Sequence, residues 1–119
     1  MLSVLRGVCL VVLGFGLLLA GAIACGSHDQ GDIIAFCELA TDGVGTHLVR
    51  STEDLAQLDA LEASAPPDIR AAAITIANAS REVGEIDDLQ ELFRRAFDLE
   101  QAVAQARLDM LTYTQHRCF

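Results

Sequence analysis

The residues of this chain best equipped for chemistry are four cysteines, Cys9, Cys25, Cys37 and Cys118, and three histidines, His28, His47 and His116. No two cysteines form a C-x-x-C pair, so neither a redox motif nor a zinc knuckle is spelled out. A cysteine nucleophile needs an imidazole beside it. His116 lies two residues from Cys118, but on a helix residues two apart point in different directions. His28, Asp29 and Asp32 form a loose cluster that helical closure could bring near His116. Zinc and copper use such ligands, yet the spacing matches no recognised site. His47 stands alone in a loop and reads as solvated.

The carboxylates are no more decisive. Glu85, Asp87, Asp88 and Glu91 crowd one short stretch. They lack the D-x-D-x-D-G order of a calcium loop, and acids are expected at a helix start for the dipole alone. "DGVGTH" at 42–47 has two glycines but not the Gly-Lys-Ser/Thr of a phosphate loop. Neither G-x-S-x-G nor H-E-x-x-H occurs. One tyrosine and no tryptophan make a poor platform for stacking sugars. The expectation is a chain that is not an enzyme, with no catalytic residues, no metal site and no cofactor.

The cysteines point instead to an address. Residues 1 to 24 carry one charge, Arg6, then "GVCLVVLGFGLLLAGAIA". A basic start, an apolar core and a small-residue end are the layout of a secretory signal. The alternative is an uncleaved anchor, because 18 residues approach the roughly 20 needed to span a bilayer. Four glycines and the small-residue end favour cleavage. Ala22-Ile23-Ala24 also fits ordinary cleavage before Cys25. Removing the signal takes Cys9 with it and leaves three cysteines, an odd number for an exported chain. A modified Cys25 leaves Cys37 and Cys118 as one pair; an unmodified Cys25 leaves one free thiol.

"AIAC" at 22–25, with the apolar run before it, resembles the lipobox of small exported bacterial lipoproteins, although Ala22 stands where leucine is usual. The absence of lysine and the abundance of alanine resemble actinobacterial proteins. The resemblance implies a diacylglycerol thioether on Cys25 and no known activity. The expected organisation is a signal at 1–24, a tether at 25–31 and a helical domain at 32–119.

These sites need a scaffold. Cutting 24 of 119 residues leaves 95, one small domain. Such a domain has a thin core and gains from a staple. A Cys37–Cys118 bridge would supply one. Asp32 caps a helix over 33–40, with Ile33, Phe36, Cys37 and Ala40 on one face. Gly43 and Gly45 break it. Ser51 and Asp54 start a second helix with Leu55, Leu58 and Leu61 inward. "SAPPD" ends it and opens a third over 67–82, with Ile69, Ala73, Ile76 and Val83 at helical spacing. From Asp87 to His116 neither proline nor glycine intervenes. Leu89, Leu92, Ala96, Leu99, Val103, Ala106, Met110 and Tyr113 step by threes and fours, and Phe93 and Phe97 widen that stripe toward the other helices. The opposite side, with Arg94, Gln101, Gln105 and Asp109, reads as solvated.

The fold expected is therefore all-α: a small antiparallel bundle of about four helices with a long C-terminal helix and one disulfide. The short link between the third and fourth helices makes them antiparallel neighbours. The third helix covers the first half of the rod, a Cys37–Cys118 bridge would place the first helix at its far end, and the second helix fills the space between.

The chain's net charge of −9 opposes nucleic acid and docking on anionic lipid by charge. Attachment to a membrane would come from the lipid on Cys25. Two function classes follow. One is a non-catalytic module on the outer face of the cytoplasmic membrane, or secreted, that contacts an envelope protein or has a structural role. The other is a helical carrier of a small ligand or metal ion, which requires a cavity above about 300 Å³.

Overall fold

The computed structural model describes residues 31–119. The expected signal at 1–24, Cys25, His28 and Asp29 lie outside the described residues. Four helices make up the domain: α1 (Ile33–Thr41), α2 (Thr52–Ser64), α3 (Pro67–Gly84) and α4 (Leu89–Arg117). No strand occurs among the described residues. The protein is an all-α bundle with one disulfide.

The helix starts follow the side chains foreseen for them. Asp32 Oδ1 accepts from the Ile34 and Ala35 amides at 3.1 and 3.2 Å. Ser51 Oγ accepts from the Asp54 amide, and Asp88 Oδ1 from the Glu91 amide at 2.8 Å. Each satisfies an amide that the helix itself leaves unpaired. Pro67 opens α3 directly after α2, where its missing N–H costs nothing.

The helices form a closed circuit. α1 packs on α2, α2 on α3, α3 along α4, and α4 back on α1. Leu58 and Leu61 from α2 are buried, as are Ile69, Ala73, Ile76 and Val83 from α3. Leu99, Val103, Ala106 and Met110 face them from α4. These are the inward positions expected from the spacing. Arg94, Gln101, Gln105 and Asp109 are exposed, also as expected.

Three departures matter. Phe93 and Phe97 do not widen the inward stripe; they are 70% and 67% exposed. At about 100° per residue, Phe97 lies some 120° around the helix from Val103, beyond the strip that α1 and α3 cover. Leu89, in the first turn, is exposed too, and so is Ile33 in the first turn of α1.

The third departure is the segment 42–51. It is a loop, as its glycines require, with Gly43 and Gly45 both at φ 89°. It does not merely cross the surface. A Cβ at Gly45 would lie 3.3 Å from Leu61, 3.6 Å from Met110 and 3.9 Å from Ile76. The loop thus wedges among α2, α3 and α4. The Val49 amide donates to Ser80 Oγ at 3.3 Å, which gives a fully buried hydroxyl its partner. Arg50 Nη2 reaches the Ile86 carbonyl at 2.7 Å and ties the loop to the α3–α4 connection.

At the entrance, Gly31 sits at φ 71°, and a Cβ there would lie 2.6 Å from the Ala65 carbonyl oxygen. The Asp32 amide donates to the Ser64 carbonyl at 2.8 Å. Gly31 and Asp32 are thus seated against the end of α2.

Candidate functional site

The cysteine chemistry is structural. Cys37 in α1 and Cys118 after α4 form a disulfide with Cα atoms 5.4 Å apart. Phe36 of α1 is fully buried beside it and meets the Tyr113 ring edge-on at 5.6 Å. Arg117 stands over the same tyrosine at 5.9 Å. Both cysteines are thus spent as a staple between α1 and the end of α4, and neither is a thiolate that could attack or bind a metal. A shallow open groove of about 490 Å³ lies against the bridge, between Ile33, Ile34 and Phe119.

The strongest polar convergence lies on α4 under the loop. Arg107 and Glu100 form an ion pair with two hydrogen bonds. Hydrogen bonding from Arg107 holds the Glu100 carboxyl below the ordinary glutamate range, against a smaller opposing effect of burial. The Leu48 amide and the nearby His47 act in the same direction as Arg107. Arg107 Nε is buried without an acceptor. An ionised carboxylate held by a guanidinium and a loop amide is a clasp that pins residues 47–48 to α4.

Several other acids have ordinary partners. Asp88 caps α4, while Glu91 turns to Arg94 at 2.6 Å rather than back to the cap. Arg95 pairs with Glu82 across the α3–α4 interface, and Arg81 holds both Asp59 and Glu62 across α2–α3. Asp32 is occupied at the start of α1. His116 is exposed beside a groove that Asp68 and Asp109 also line. Among the described residues no group of three or more His, Cys, Asp or Glu could hold a metal ion. No helix among them is long and apolar enough to cross a membrane.

What the structure adds is a second apolar face on α4. Phe93, Phe97, Leu108 and Leu111 are each more than half exposed, and Ala104 lies between them, also exposed. By the helical angle these five share one strip, roughly 130° around from the buried strip of Leu99, Val103 and Met110. The sequence carried the signal, since 93, 97, 104, 108 and 111 also step at helical spacing. It was hidden because two registers overlap on one helix, and the first was taken to include both phenylalanines.

Compared with known proteins, the chain matches no family model, no curated protein and no solved structure.

Proposed function

We propose that this protein is a non-catalytic helical module of the cell envelope, tethered through lipid on Cys25, that works by protein contact through the outward face of α4. One observation carries the contact reading: a strongly acidic small domain leaves two phenylalanines and two leucines exposed along one helix face. Contiguous exposed apolar surface of that kind marks an interaction site. The lipid tether is supported by the sequence around Cys25 and by the pairing of Cys37 with Cys118, which leaves Cys25 as the odd cysteine of the exported chain.

The test uses the full chain in its own membrane. A photoreactive phenylalanine analogue at position 97 should form a protein adduct on irradiation. The same group at Thr75, exposed on α3, should not. Cys25→Ser should move the protein out of the membrane fraction. An absent adduct at position 97 would remove the contact reading, and unchanged membrane retention of Cys25→Ser would remove the lipid.

A further inference from the structure

We infer that the occupant of the outward α4 face is a second copy of this chain, packed antiparallel on the first. This rests on the contact reading above and names its partner.

The spacing of the strip is close to a palindrome. Its centre is the polar and small pair Gln101 and Ala104. Phe97 stands four residues before Gln101, and Leu108 four residues after Ala104. Phe93 stands eight before Gln101, and Leu111 seven after Ala104. A two-fold axis perpendicular to α4 places a patch on itself, so each residue meets its mirror position. Phe97 then lies over Leu108 of the other copy, and Phe93 over Leu111. Each contact matches a large ring with a branched aliphatic side chain, and at the centre the small Ala104 faces Gln101 of the other copy. The strip from 93 to 111 is about 27 Å long, long enough for both ends to engage.

Charge permits this contact where it opposes others. Two copies of a chain at −9 repel over most of their surface. On one side the strip is bordered by Gln105, Thr112 and Arg94, the last already paired with Glu91. On the other, the nearest acid, Glu100, is already neutralised by Arg107. The area is sufficient as well. Two phenylalanines and two leucines, each more than half exposed, present roughly 500 Å² per copy. Complete burial of these side chains in two copies amounts to about 1,000 Å², the lower bound for a specific interface.

The test combines mass with a charge exchange in the full chain. Isolated from its membrane in mild detergent, the wild type should sediment as two chains. Phe97→Glu and Leu108→Arg should each sediment as one chain with helical circular dichroism kept, because both side chains are exposed in the folded domain. Mixing the two variants should restore the two-chain mass. In the antiparallel pair the introduced carboxylate faces the introduced guanidinium, while the second crossing stays Phe97 on Leu108. A parallel pair offers no such match, so failure of the mixture to reassociate overturns the antiparallel arrangement. A one-chain wild type overturns the second copy altogether. If a photoadduct at position 97 then has the mass of this chain plus a different protein, the contact reading survives and this inference does not. If no adduct forms, both fall.

Discussion

Leu99 and Phe97 stand two residues apart on α4 in opposite surroundings: Leu99 is 8% exposed among the core of α3 and α4, and Phe97 is 67% exposed. Both are large and apolar. Only the angle around the helix separates a residue that folds the domain from one available for contact. The same division runs along α4, with Val103 and Met110 inward and Leu108 and Leu111 outward.

That division has a direct consequence for stability. Leu99→Ala removes buried methyl groups from a thin core and should cost about 2 to 5 kcal/mol, lowering the melting temperature by more than about 10 °C in a domain of this size. Phe97→Ala removes more atoms but should leave the domain's unfolding free energy within about 0.5 kcal/mol when measured on the single chain. Thermal unfolding followed by circular dichroism compares the two. Equal losses would mean that Phe97 is part of the core.

The bridge between Cys37 and Cys118 spans a sequence separation of 81 residues. Loop-closure entropy assigns such a constraint roughly 4.5 kcal/mol as an upper figure. Cys37→Ser and Cys118→Ser should each lower the melting temperature by well over 10 °C. In the wild type, neither cysteine should react with a thiol reagent until a reductant is added. Thiol titration before and after reduction checks this.

Two glycines should resist even alanine. Gly31→Ala drives a Cβ into the Ala65 carbonyl at 2.6 Å on a backbone of positive φ. Gly45→Ala meets only the movable end of Leu61 at 3.3 Å, on a backbone of the same kind. Left-handed strain costs about 1 to 2 kcal/mol at either position, and the carbonyl clash adds to it at Gly31. Urea unfolding should rank the wild type above Gly45→Ala, and Gly45→Ala above Gly31→Ala. The reverse order would mean that the entry segment is not seated on the α2–α3 corner.

The Glu100–Arg107 clasp sets an acid limit. Arg107 lowers the Glu100 pKa in the folded state. The unfolded chain therefore binds the proton more readily, and stability from this group falls as pH falls. The contribution is complete above the unfolded value of about 4.3 and is lost as pH drops below it through the folded value. Glu100→Gln should flatten the decline in melting temperature below about pH 4.5 and lower stability at pH 7. A decline of unchanged steepness would assign the acid sensitivity to other carboxylates. The clasp is partly exposed, so added salt should weaken it.

Local signals made most of the bundle legible. Asp32, Ser51, Pro67 and Asp88 mark helix starts, and the Leu58, Leu61, Ile76 and Val103 positions follow from helical spacing. The count of cysteines led to Cys37–Cys118 once Cys25 was set apart. The loop was not legible. Whether a Gly-Val-Gly segment covers the surface or wedges against Leu61 and Met110 depends on how far α2 stands from α4, which no local pattern records. The outward face of α4 was missed for a related reason. Phe93 and Phe97 fit a broad inward stripe by type, and only the width of the strip that α1 and α3 cover excludes them.

The central claim is that α4 folds the domain with one face and is covered by another chain on the other. The sequence contains no tryptophan, so Phe97→Trp places a single reporter on the outward strip of the full chain in its membrane. The account predicts emission shifted to the blue and shielded from acrylamide, although the fold of one chain leaves position 97 open. Adding Leu108→Glu should shift that emission to the red with helical circular dichroism kept. Water-like emission from Phe97→Trp alone, freely quenched by acrylamide, would contradict the claim.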